Sequence, residues 1–271
     1  MPSVLYDRVA EARAFLEQKG LGPVEAALVA DGDFDPLLSF ERSASVSFGE
    51  VPGFPRGSRV GDASIRAGEI DGMRVLVVHG RVFGYEGIPL AEATIPIRAA
   101  AALGAQWIAI AGAGEALDPS WNAGDFVFST DQLNWMGDNP LIGPHDERLG
   151  VRFLDLSCAY DPALLESAER AAGSDPTATR RGIYAGIAGP QGLSSAEKSM
   201  LRSCGADVAG MSAVAETIVA RHCGMKVVGI SVVDGASAES WPSVARAAAP
   251  RIDRIVRGIL KESRRKETTR G

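Results

Sequence analysis

What this chain of 271 residues lacks bounds it first. Cysteine is scarce: three residues, Cys158, Cys204 and Cys223, odd in number and far apart. That spacing offers neither a zinc ligand set nor a disulfide framework, so a reducing cytoplasm is the expected compartment. Histidine is equally sparse, with only His79, His145 and His222, which leaves little room for a mechanism built on two histidines. No metal site is expected. The N-terminus carries no basic-then-apolar signal pattern, and no apolar run approaches the length of a membrane span. Basic excess is missing too: a net charge of −6 argues against a nucleic-acid partner. The basic stretch 261–271 is the exception, and it reads as a solvated, fraying tail.

What is present describes a globular protein. Hydrophobic residues make up 46% and charged residues 23%, enough to bury a sizeable core. The chain reads as a single domain over 1–271, with an N-terminal helix within 1–20. Ser3 can cap that helix, Leu5, Val9, Ala12 and Leu16 repeat at helical spacing, and Gly20 stops it.

The central stretch is Val75–Gly87. Val75, Leu76, Val77 and Val78 form a short apolar run typical of a buried strand, which breaks at Gly80 into Arg81. Ligands of open α/β sheets sit at the carboxyl ends of such strands, so Arg81 is placed to meet an anion. The bland alternative is a surface arginine paired with Glu86. Upstream, Val24–Ala30 predicts a first strand that runs into the acidic turn Asp31-Gly32-Asp33-Phe34-Asp35-Pro36. Glu50–Asp62 is a Pro- and Gly-rich loop, and Asp71-Gly72 joins Ala63–Ile70 to the Val75 strand as a hairpin with a primed turn.

Downstream, Pro89–Leu103 predicts one helix, Trp107–Ala111 a strand ending in Gly112-Ala113-Gly114, and Phe126–Ser129 another strand. Helices follow at Asp161–Gly173, at Ser194–Leu201 with Ser194 as cap, and at Ala213–His222. Strands are predicted at Ile183–Ile187, Val208–Met211 and Lys226–Val233, the last ending at Asp234-Gly235. A final helix presents Ile252, Ile255, Val256, Ile259 and Leu260 on one face. This alternation predicts an α/β domain with a mixed central sheet flanked by helices.

Several stretches, in one order, resemble the trimeric class of purine nucleoside phosphorylases. They are Gly80-Arg81 with Tyr85-Glu86-Gly87, Asn139-Pro140-Leu141 through Asp146-Glu147-Arg148, Ala188-Gly189-Pro190, and Gly205-Ala206-Asp207 through Gly210-Met211-Ser212. The last block continues to Ile218–Gly224. The resemblance covers roughly residues 20 to 260 and implies the nucleoside phosphorylase fold. It also implies cleavage of a nucleoside's N-glycosidic bond by inorganic phosphate, giving free base and sugar 1-phosphate. Phosphate is then a co-substrate, and no cofactor is needed.

Carried over by position, the resemblance makes Arg81, Ser212, the Ala113 backbone N–H and Gly32 the phosphate site. Tyr85 and Met211 become sugar contacts, and Phe153 an aromatic lent to a neighbouring subunit of a homotrimer. In most proteins Met211 and Phe153 would be core side chains and Tyr85 a half-buried surface residue. Gln191, Leu193 and Asp234 fall at the base, with Asp234 the candidate acid for the leaving group. A turn-capping Asp-Gly is the alternative reading of Asp234.

Departures from the family pattern are numerous. Asp31-Gly32-Asp33 replaces a Gly-Ser-Gly phosphate loop, Asp62 and Phe83 replace histidines, and Gly112–Ala116 replaces a small-residue loop. Gly192-Leu193 stands where the family has a Phe-Glu pair, and Asp234-Gly235 where it has Thr-Asn. Three readings stay open: a phosphorylase with an atypical nucleoside, a nucleosidase using Asp31, Asp33, Asp62 or Glu115 to activate water, and a non-catalytic binding subunit. Carboxylates repel a phosphate dianion. The expectation is that Asp31, Asp33 and Asp62 point outward and leave Arg81 and Ser212 free.

Overall fold

The computed structural model describes residues 4–35, 37–40, 42–57, 63–173, 178–234 and 241–268. Expectations for Ser3, Asp62 and Gly235 lie outside them.

The strands are β1 (Ala26–Ala30), β2 (Ser43–Ser47), β3 (Ser64–Ile70), β4 (Met73–His79), β5 (Trp107–Ala116), β6 (Phe126–Trp135), β7 (Thr179–Ile187), β8 (Val208–Gly210) and β9 (Lys226–Val233). The helices are α1 (Val4–Gln18), α2 (Leu90–Ala93), α3 (Ile95–Ala102), α4 (Pro162–Ala172), α5 (Ser195–Ser203), α6 (Ala213–His222) and α7 (Trp241–Thr268). The strands form one mixed sheet in the order β2-β3-β4-β1-β5-β8-β7-β6-β9. A further parallel pairing of β5 with β9 closes the second half of the sheet into a ring. This confirms the α/β architecture with a mixed sheet flanked by helices.

β4 shows why its residues are uniformly apolar. Leu76 and Val78 face one core with Val9, Leu16, Ile97 and Ile218. Val75 and Val77 face the other, with Leu164, Ile252 and Ile255. A strand covered on both faces has no polar side to alternate with. The β3–β4 hairpin turns at Asp71 (φ 53) and Gly72 (φ 75), the two positive φ values of the predicted primed turn. Asp161 caps α4 by accepting from Ala163 and Leu164 N–H, and Ser194 forms a capping box with Glu197 at α5.

Several boundaries differ from expectation. The predicted helix 89–103 breaks at Thr94 into α2 and α3, beside Pro96, which has no N–H to give. β2 was not foreseen, since Ser43–Ser47 buries only Val46. The stretch 261–271, expected as a fraying tail, continues α7 to Thr268, and Glu262 pairs with Arg170 on α4 at 2.6 Å.

Candidate active site

Register brings the site together. Ala30 at the end of β1 lies opposite His79 of β4 and Ala111 of β5, so Asp31 and Arg81, just past the carboxyl ends of their strands, come beside Gly112-Ala113 of β5, which continues to Ala116. Gly80 makes the turn possible. Its φ is 99°, its N–H donates to Ala30 O at 2.8 Å, and a Cβ there would fall 2.6 Å from the Ala63 Cβ.

Arg81 is buried, and its fork is engaged. Nε and Nη2 donate to Oε1 and Oε2 of Glu216 on α6, each at 2.9 Å. Nη1 donates to Asp31 Oδ1 at 2.5 Å and to Ala111 O at 2.9 Å. The other Asp31 oxygen, Oδ2, accepts the Ala113 N–H at 3.0 Å. Burial works against the arginine's charge, but Asp31 and Glu216 together outweigh it and hold the guanidinium protonated. Ser212, at the start of α6, completes the cluster: a Cβ on Gly112 would lie 3.2 Å from Arg81 Nη1, 3.3 Å from Asp31 Oδ2 and 3.5 Å from Ser212 Oγ. Tyr184 of β7 is fully buried next to Gly210, and burial holds its phenol protonated.

The expectation that Asp31 points outward is therefore corrected. Two donors at the pocket wall, Arg81 Nη1 and the Ala113 N–H, capture its carboxylate, and hydrogen bonds to an ionised acceptor outweigh solvation of an exposed turn. Gly32 and Asp33 lie elsewhere, lining a neighbouring cavity of about 520 Å³ with Asp35, Ser64, Arg66, His79 and Arg246. Gly32 thus borders that cavity and makes none of these donor contacts. Glu86, the alternative partner for Arg81, instead accepts the Phe83 N–H at 3.0 Å.

A second group of ionisable side chains lies farther along β5. Asp234 follows β9 and donates its N–H to Gly114 O at 3.1 Å. Its carboxyl is pushed up to about 6, first by burial and then by the negative charge of Glu115. Lys198 of α5 forms an ion pair with Glu115 and pulls the other way. Leu193 and Met211 are half-buried against a small cluster that contains Ile187, Leu201 and Ala209. Tyr85 stacks on Phe83 with centroids 4.9 Å apart and planes at 14°. Gln191 is exposed, and Phe153 stands 91% exposed.

The structure thus joins Arg81, Ser212 and Ala113 in one cluster, packs Leu193 and Met211 against another, and places Asp234 near the Glu115 charge. Sequence reasoning missed Glu216, Tyr184 and Lys198. Glu216 lies inside the block Gly205–Gly224 that carried the resemblance, and a carboxylate amid Ala, Val and Ile on a helix was the available signal.

The sequence profile of the phosphorylase superfamily matches residues 26–261. Purine nucleoside phosphorylase 1 of Bacillus subtilis (strain 168) is 35% identical over 234 residues, covering 86% of each chain. Purine nucleoside phosphorylase of Rattus norvegicus is 34% identical over 261 residues, covering 90% of this chain and 86% of its own. Among solved structures, isoform 2 of purine nucleoside phosphorylase from Schistosoma mansoni, in complex with cytosine and ribose-1-phosphate, superposes with a TM-score of 0.88. It is 27% identical, covering 96% of this chain and 98% of its own. The chain belongs to the phosphorylase superfamily, with purine nucleoside phosphorylases as its relatives.

Proposed function

We propose that this chain cleaves the N-glycosidic bond of a nucleoside, releasing the base and passing the sugar to inorganic phosphate as a sugar 1-phosphate. The observation that carries this reading is the pairing of two opposite chemistries along the adjacent strands β5 and β9. Anion-binding donors (Arg81, Ser212 and the Ala113 N–H) gather beside Gly112-Ala113 of β5, and a carboxyl that keeps its proton to about pH 6, Asp234, follows β9 just beyond Val232, the register partner of Ala113.

Such a bond breaks through a sugar cation. Its rupture is favoured by an anion beneath the anomeric carbon and by a proton delivered to the departing base. Arg81 and the Ala113 N–H are the donors for phosphate, which takes them over from Asp31. Asp234 gives its proton to the base nitrogen as the C–N bond lengthens. Tyr85 and Met211 form the sugar's walls, with Gln191 and Leu193 at the base. No cofactor enters this chemistry. Phe153, exposed and aromatic, suits a site shared between subunits of a homotrimer, and three free cysteines suit a reducing cytoplasm.

The test is incubation with a panel of nucleosides, with and without phosphate, followed by chromatography and mass spectrometry. Free base together with sugar 1-phosphate is the expected result. Absence of base release from every nucleoside under both conditions would overturn the reading.

A further inference from the structure

The Asp31 carboxylate already occupies the donors that an incoming anion needs. Its Oδ1 meets Arg81 Nη1 at 2.5 Å and its Oδ2 meets the Ala113 N–H at 3.0 Å, with Ser212 Oγ bordering the same backbone at Gly112. This geometry is that of an anion bound in an anion site, except that the anion is covalently part of the chain. Glu216 holds the rest of the guanidinium, so the charge of Arg81 is already balanced.

A dianion entering here must first displace Asp31 from these donors, which costs free energy before the donors can hold the dianion instead. A neutral nucleophile meets no such barrier. Each Asp31 oxygen accepts one hydrogen bond from the site, whereas a carboxylate has about four acceptor positions. Two positions therefore remain for a water molecule, and the side chain keeps 12% exposure by which water can reach it.

We propose a second activity at this site: hydrolysis of the nucleoside in the absence of phosphate, with Asp31 holding and deprotonating the attacking water. The inference rests on the N-glycosidic cleavage proposed above. The bond from the anomeric carbon to the base nitrogen breaks, and its electron pair leaves with the base, which takes the Asp234 proton. The water oxygen bonds to the anomeric carbon, and one water proton passes to Asp31. Exchange with solvent resets both carboxyls, so nucleoside plus water gives base plus free sugar. A carboxylate suffices to take this proton because water bonded to a cationic carbon is strongly acidic.

The test uses the full-length protein in phosphate-depleted buffer made with ¹⁸O water. The wild type should release base over many turnovers, and the sugar should be free and carry ¹⁸O. Asp31→Asn keeps the shape but cannot take the proton, and should lower the phosphate-free rate about 100-fold, within the usual range for a lost general base. Asp31→Ser should lower it likewise while lowering the KM for phosphate, a response that general damage to the fold would not produce. Circular dichroism checks the fold of both variants. Base release by the wild type only when phosphate is present would overturn this inference and leave the proposed cleavage standing. So would an unchanged phosphate-free rate in Asp31→Asn. No base release under either condition would remove both.

Discussion

Arg81 grips Glu216 through two parallel hydrogen bonds of 2.9 Å, across 135 residues of sequence. The pair ties the end of β4 to α6, and both side chains are under 10% exposed. Removing one partner of a buried ion pair leaves the other charge uncompensated, which typically costs about 3–5 kcal/mol. Here Asp31 still faces Arg81, so Glu216→Ala should fall near the lower end, at about 3 kcal/mol. Urea unfolding monitored by circular dichroism measures it, and a loss below about 1 kcal/mol would show that Asp31 alone satisfies the guanidinium.

That pair also marks where sequence reasoning stopped. The strand that precedes Arg81 was legible because Val75–Val78 is apolar on both faces, and the caps at Asp161 and Ser194 were legible because capping is local. The direction of Asp31 was not. An Asp-Gly-Asp sequence makes a turn whichever way its carboxylates point, and the choice is made by Arg81 and Ala113, brought alongside from 50 and 82 residues away. The full length of β6 was hidden for a similar reason. Past the bulge at Thr130, the residues Asp131, Gln132 and Asn134 have no apolar pattern of their own and are held as strand by pairing with β7. The elevated Asp234 carboxyl likewise depends first on burial and then on the Glu115 charge, which reaches it only when β5 and β9 align.

Asp234 should impose a pH dependence on cleavage. Its carboxyl holds its proton up to about pH 6 through burial and the nearby Glu115 charge, with Lys198 partly offsetting both. If the protonated form donates to the leaving base, kcat falls as pH rises through about 6. Asp234→Asn should lower kcat and remove that limb of the profile. The same raised value sets the sign for stability. The folded protein binds this proton more tightly than the unfolded chain does, so the contribution is full below about pH 4 and lost as pH rises through about 6. Thermal unfolding of wild type and Asp234→Asn between pH 4 and 7 compares the two, and identical pH slopes would contradict the assignment.

The base site proposed at Leu193 gives an expectation for which base is accepted. Leu193 packs with Met211 against an apolar cluster and offers nothing to accept a ring N–H. A buried donor left unsatisfied costs about 1–3 kcal/mol, so inosine and guanosine should be cleaved roughly tenfold or more less efficiently than the preferred nucleoside. Comparing kcat/KM across a nucleoside panel measures this. Inosine emerging as the best substrate would show that another group, such as the Glu115 carboxylate, reads the ring proton.

Phe153 leads to the last expectation, which concerns assembly. A phenylalanine left 91% exposed costs free energy unless something covers it, and Trp135, Ile142 and Val151 are also more than half exposed. The chain is expected to form a homotrimer in which Phe153 covers the sugar site of a neighbour. Phe153→Ser should then raise KM for the nucleoside while leaving the unfolding of each subunit nearly unchanged, because in the isolated chain this side chain buries almost nothing. Sedimentation velocity at micromolar concentration measures the assembly, and initial rates across nucleoside concentrations measure KM. A stable monomer with full activity would refute the shared site, and a trimer whose Phe153→Ser variant keeps its KM would place this residue away from the sugar.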